Sequence, residues 1–191
     1  MATIDVRRRR IDTKIVYYGP GLSGKTTNLL DIHRRMPADR RGEMRSLATD
    51  EERTLFFDFV PVAPIEVGGW DLRFHLYSVP GQEHFARTRR AILGGADGVV
   101  FVADAAPDRQ EANRASLDEL AASLDAYGHP LADAAFVLQC NKMDLPDALS
   151  AESLQASLNP NGRPCIAAVA TRGNGVAETL RAISRQVAQR L

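Results

Sequence analysis

Three stretches of this chain combine residue types that chemistry needs at a fixed spacing. Residues 19–26 read GPGLSGKT, a G-x-x-x-x-G-K-T pattern. Glycines let backbone N–H groups turn inward around phosphate oxygens, and a helix N-terminus behind them adds positive dipole. Lys25 would reach the β- and γ-phosphates of a nucleoside triphosphate as a compact charge on a flexible stem, and Thr26 would offer its hydroxyl to Mg2+. The expected nucleotide contacts here are Gly19, Gly21, Leu22, Ser23, Gly24, Lys25, Thr26 and Thr27. Lysine usage points the same way. Of the 24 basic residues only three are Lys, and Lys25 and Lys142 both fall in these stretches.

The second stretch is Asn141, Lys142, Met143 and Asp144. A carboxylate can accept at once from the N1–H and the exocyclic 2-amine of guanine, whereas adenine has an acceptor at N1 and no 2-amine. Asp144 is therefore the expected base reader, with Asn141 tying loops together and the Lys142 stem covering the base plane. The third is Ser78-Val-Pro-Gly-Gln82. Gly81 could present its N–H to a γ-phosphate and Gln82 could orient an attacking water, although Pro-Gly is also an ordinary turn pair. Finally, the backbone of Val169, Ala170 and Thr171, just before Gly173 and Gly175, could cap the guanine carbonyl.

The elements that must position these residues alternate between β and α. Thr13–Tyr18 reads as a strand entering the Gly-rich turn and Thr26–Met36 as the helix that follows. Arg40–Arg53 is polar and reads as a long loop. Thr54–Val62 and Trp70–Val79 read as two strands of a hairpin joined by the turn-prone Pro64–Gly69. Gly98–Asp104 and Ala135–Cys140 are apolar runs without alternation, which predicts strands covered on both faces. Pro164–Ala170 is the expected last strand. Leu117, Leu120, Leu124 and Tyr127 recur at helical spacing, as do Val176, Leu180, Ile183, Val187 and Leu191. The expectation is an α/β fold over 1–191: one P-loop NTPase domain with a mostly parallel sheet of about six strands and helices on both faces. Ligands of such sheets sit beyond the carboxyl ends of the strands, where every stretch above falls.

Composition narrows the function classes. The 191 residues carry 24 Lys+Arg against 24 Asp+Glu, a balance that excludes a dedicated nucleic-acid-coating protein. No apolar run approaches the roughly 20 residues of a membrane span. Asp5 and Arg7–Arg10 interrupt any secretory segment. Gly is absent at position 2 and no prenylation Cys ends the chain, so no intrinsic membrane anchor is expected. The two cysteines, Cys140 and Cys165, are too few for a disulfide scaffold and fit a reducing cytoplasm as packed thiols.

With these motifs in place the chain resembles a small Ras-like GTPase, and within that superfamily the bacterial MglA-type GTPases of gliding motility and cell polarity. KIVYYGPGLSGKTTNL, SLATDEERTLFFDF, RFHLYSVPGQ, DGVVFVADA and NKMDLP carry the resemblance, which runs from Ile11 to the final helix. It implies a Ras-like G domain that alternates between GTP and GDP, with Mg2+ as cofactor and slow hydrolysis until a roadblock-domain (MglB-like) partner activates it. It further implies polarity and motility effectors and a cytoplasmic protein that is polar when GTP-bound. In the segment matching Glu52–Asp58 the resemblance implies that Thr54 contacts Mg2+ and that Arg53 acts as an arginine finger in cis, alongside Gln82. Thr49 is the alternative metal ligand in that loop. An arginine at the γ-phosphate neutralises transition-state charge, worth roughly 10³–10⁵ in rate. Two positions depart from the pattern. Ser78 stands where most Ras-like chains have Asp and MglA-type chains Thr, and Glu83–Arg87 is closer to Rab-like sequences at the usual partner-facing switch.

Competing readings attach to particular residues. Asp104 could be the Mg2+ ligand of a P-loop ATPase, or the cap of the next helix. Arg7–Arg10 could touch an anionic surface or form a solvated edge. Arg87, Arg89 and Arg90 could meet an acidic partner or line a solvated helix face. Two functions follow: a GTP-hydrolysing switch, favoured by Gln82, and a GTP-binding interaction module with negligible hydrolysis.

Overall fold

A computed structural model of the chain describes residues 2–37, 65–81, 85–159 and 162–191. The elements run β1 (Thr3–Asp5), β2 (Arg10–Tyr18), α1 (Lys25–Arg35), β3 (Ile65–Val67), β4 (Trp70–Ser78), α2 (Ala86–Leu93), β5 (Gly98–Asp104), α3 (Gln110–Asp125), β6 (Ala135–Asn141), α4 (Ala151–Leu158), β7 (Cys165–Ala167) and α5 (Val176–Ala188). Strands lie in the order β3-β4-β2-β5-β6-β7, with β1 paired to β2 off that path. All neighbours from β4 to β7 are parallel, while β1 and β3 pair antiparallel with β2 and β4.

The two apolar runs form the sheet's centre, and every residue of β5 and β6 is buried. On one face Ile15, Tyr17, Phe74 and Leu76 pack under Leu29 and Ile32 of α1 and Ile183 and Val187 of α5. On the other, Val16, Tyr18, Val99 and Phe101 pack under Ile92 of α2, Leu120 of α3 and Leu154 of α4. Helices on both faces leave the strand ends as the place for a ligand.

The sequence expectations need several corrections. β2 begins at Arg10 rather than Thr13, because β1 pairs with its first residues (Thr3↔Asp12, Asp5↔Arg10). β5 first meets β2 only at Ile15↔Gly98, and β1 takes the edge left below that point. Ile65–Val67, read as turn, is strand β3, and the turn contracts to Gly68 and Gly69. Backbone pairing of Ile65 with Leu72 and of Val67 with Trp70 outweighs the turn tendency of the surrounding residues. The expected loop Arg40–Arg53 and strand Thr54–Val62 lie outside the described residues. Tyr127 and Leu191 fall beyond their helices: the Tyr127 hydroxyl donates to Arg90 O at 2.9 Å, and Leu191 is exposed. Helix α4 carries a cap the periodicity reading passed over, Ser150 Oγ accepting from Ser153 N. Cys140 and Cys165 are free thiols packed with their sulfurs 3.5 Å apart.

β4 alternates buried and half-buried residues, and its half-buried side carries a polar ladder with β2. Asp12 accepts from Arg10 Nε at 2.7 Å and lies 2.9 Å from His75 Nε2. Burial pushes the Asp12 carboxyl up, but the His75 hydrogen bond and the Arg10 charge outweigh it and hold it below the usual value. With the folded pKa depressed, the stabilisation is whole above the unfolded value and is lost as pH falls through the folded one. Asp12→Asn should therefore lower stability by about 1 kcal/mol near neutral pH. In a series of thermal melts the difference from wild type should shrink below about pH 4. A difference independent of pH would show that the charge is not what matters.

Candidate nucleotide-binding site

Five parallel strands bring their carboxyl ends to one edge, and the motif residues assemble there. β2 ends at Tyr18, the loop 19–24 follows, and α1 starts at Lys25 with Gly24 at its N-cap. Gly24 has φ 100°, and a Cβ on it would run into Asn141 Nδ2. That close approach, with the positive φ, favours glycine at this position. The Lys25 ammonium is buried and donates to Gly19 O at 2.8 Å and Pro20 O at 2.6 Å, which sets the charge at the floor of the loop. Leu22 is left-handed at φ 65° and 88% exposed, so its backbone rather than its side chain shapes the loop.

Asn141, the last residue of β6, uses both ends of its amide. Nδ2 donates to Ser23 O at 2.8 Å, and Oδ1 accepts from Ala170 N at 2.9 Å. One buried side chain thus fixes the loop 19–24, the loop after β6 and the turn after β7 to one another. Met143 N donates to Ala168 O at 3.1 Å and reinforces that lacing. Between these loops lies a cavity of about 220 Å³. Leu22, Gly24 and Thr27 line one side, Asn141, Lys142, Asp144 and Leu145 a second, and Val169, Ala170 and Thr171 the third. The Asp144 carboxylate lies at its rim, 3.5 Å from Arg172 Nη2.

The loop after β4 lies directly on the loop 19–24. A Cβ on Gly81 would sit 2.5 Å from the backbone N and Cα of Gly21 and 2.9 Å from Lys25 Nζ. Pro80 is held from below: Arg89 Nη1 donates to its carbonyl at 3.2 Å. The same guanidinium makes a two-pronged pair with Glu119 of α3, at 2.9 and 2.8 Å. Arg89, expected on a partner-facing or solvated face, is buried. Ser78, at the end of β4, has a buried hydroxyl with no hydrogen-bond partner among the described residues, as does Ser23.

Other participants were not singled out from the sequence. Gln139 points inward from β6, taking Asn28 Nδ2 at 2.8 Å and donating to Thr179 Oγ1 at 2.8 Å. Asn28 in turn donates to Gly24 O at 3.0 Å, so a buried polar network underlies the first turn of α1. A glutamine inside the apolar run AFVLQCN was the available signal, since a buried amide needs partners. Arg109 Nη2 donates to Gly21 O at 2.8 Å. Asp104, weighed as a metal ligand or helix cap, pairs with neighbouring residues and does not cap the helix that follows. Its Oδ2 accepts from Lys142 Nζ at 2.6 Å and its Oδ1 from Ala106 N, while the short helix after it has Ala106 at its N-cap and no side-chain cap. Arg53, Thr54, Thr49 and Gln82 lie outside the described residues, as do Glu83 and His84.

Residues 4–187 match the model of the ADP-ribosylation factor family. The chain belongs to that family. It is also 47% identical over 187 residues to the mutual gliding-motility protein MglA of Myxococcus xanthus (strain DK1622), covering 98% of this chain and 96% of the relative. It is therefore an MglA-type small GTPase, a switch that binds and hydrolyses GTP. Among the described residues of the GTPase, no helix is long and apolar enough to cross a membrane.

Proposed function

We infer that GTP and GDP occupy the edge built by β2, β4, β6 and β7, with the whole chain acting as one G domain. The observation that carries this is the cavity bounded by residues 22–27, 141–145 and 169–171, which unites the phosphate-type loop and the guanine-type motif. Asp144 at its rim would exchange Arg172 for the N1–H and 2-amine of guanine. The N–H groups of Val169, Ala170 and Thr171 would meet the base carbonyl. Residues Gly19 to Thr27 would cradle the phosphates around the buried Lys25 ammonium, with Gly81 addressing the γ-phosphate.

Residues available for Mg2+ fit that ion. Thr26 is half-buried in the first turn of α1, and the orphaned hydroxyl of Ser78 suits the water shell of a hard cation. Thr26 and Thr54 would hold the ion, which when bound neutralises phosphate charge. A serine hydroxyl binds it more weakly than the aspartate usual at position 78. Gln82 would orient the attacking water and Arg53 would steady the transition state in cis.

Hydrolysis by the isolated chain is slow on this reading, and a roadblock-domain protein similar to MglB assembles the site. Given the relative's name, the switch serves gliding motility; the family resemblance adds cell polarity as its setting, with a cytoplasmic protein that gathers at a pole when GTP-bound. Single-turnover hydrolysis of GTP with Mg2+ tests this. Partner-stimulated cleavage should fall about 10³-fold or more in Arg53→Ala with little change in GTP affinity. An unchanged stimulated rate would remove the arginine finger from the mechanism.

A further inference from the structure

Asp104 closes β5 with its side chain at 0% exposure. Its backbone is clamped by α3, as Asn113 Oδ1 accepts from its N–H at 2.9 Å and Asn113 Nδ2 donates to its carbonyl at 2.8 Å. A carboxylate taken fully out of water costs several kcal/mol unless it is paired. Here the partners are cations from both halves of the site. Lys142 Nζ lies 2.6 Å from Oδ2, and Arg109 Nε lies 3.9 Å from the same oxygen. Arg109 donates onward to the carbonyl of Gly21.

We propose that Asp104 is a positioning residue for nucleotide retention, a buried anion that holds Lys142 along the wall of the base cavity and joins that loop to the phosphate loop through Arg109. The proposal rests on the site reading given above. Lys142 is one of the described non-glycine residues with positive φ, at 66°. Such a conformation persists only where the surroundings over-determine it. Neighbouring backbone bonds, Ala105 N to Asn141 O and Leu145 N to Lys142 O, fix the chain on either side. The ion pair to Asp104 fixes the stem between them. With its ammonium anchored at a rigid strand end, the stem cannot swing into water, and a base entering the cavity meets a wall already in place. A helix cap at this position would need only Oδ1, whereas the charge on Oδ2 serves the two cations.

The test measures release of a fluorescent GDP analogue from wild type, Asp104→Asn, Lys142→Met and the double variant, with thermal melting in parallel. Asn keeps the shape and the acceptor for Ala106 N but removes the charge. Release should quicken about tenfold in Asp104→Asn, since charged hydrogen bonds are roughly twice as strong as neutral ones. The double variant should exceed Lys142→Met by clearly less than the roughly tenfold effect of Asp104→Asn alone, because the Lys142 arm is already gone and only the longer Arg109 contact is left to lose. Release unchanged in Asp104→Asn, or effects that multiply in the double variant alongside a matching loss of melting temperature, would overturn the proposal. Should Asp104→Asn fail to fold, comparing Lys142→Met with the double variant, where no charge is left unpaired, decides in the same way. Wild-type protein that holds no GDP would overturn the site reading and this proposal with it. Normal retention by wild type with no effect of Asp104→Asn overturns Asp104 alone.

Discussion

Lys25→Ala will come off purification without nucleotide, and its affinity for GDP should be lower by about 10²- to 10⁴-fold. The size follows from the setting. An ammonium held at fixed position by two carbonyls makes charge-assisted bonds to two phosphates, each worth about 1.5–3 kcal/mol. The ion is buried, and Gly19 O and Pro20 O offset its desolvation and fix its position. Nucleotide extracted from the purified variant and titration with a fluorescent GDP analogue check the result. Wild-type retention would remove residues 19–27 from the phosphate site.

Asn141→Ala is the second large effect, and it should strike stability and binding together. The side chain is buried and both ends of its amide are engaged. Alanine would leave Ser23 O and Ala170 N unsatisfied in the interior, at about 1–3 kcal/mol each. A fall in melting temperature of roughly 5–15 °C follows for a chain of this size, with GDP release faster by about 10²-fold. Asn141→Asp separates the two causes. It keeps the acceptor for Ala170 N but sets a carboxylate against the Ser23 carbonyl, so release should quicken as much with a smaller loss of packing. Equal release from wild type and both variants would show that the three loops hold their places without this amide.

Much of this arrangement was legible in the sequence where local pattern and burial agree. β5 and β6 were readable because strands covered on both faces have no polar side to interrupt the apolar run. The stretches that gather at the sheet edge could be singled out because they carry particular residue types at particular spacing. What escaped was decided at a distance. Arg89 reads as a surface residue by type, but Glu119 lies 30 positions away in sequence and accepts it into the interior. Asp104 reads as a cap because capping is local, whereas its partner Lys142 stands 38 residues on. β1 and β3 are three-residue strands that exist by virtue of their neighbours, too short to carry a periodicity of their own.

The polar network beneath the first turn of α1 has a consequence for how the chain is made. Asn28, Gln139 and Thr179 are separated by 111 and 40 positions, so the last of them leaves the ribosome long after the phosphate-type loop has been synthesised. Until α5 docks, Gln139 lacks its hydroxyl partner, the sheet face above β5 and β6 is bare, and the floor under Lys25 is unfinished. N-terminal segments of a nascent chain can begin to fold early. A nascent chain that ends before Thr179 would therefore carry the loop 19–24 above a polar network that is still open.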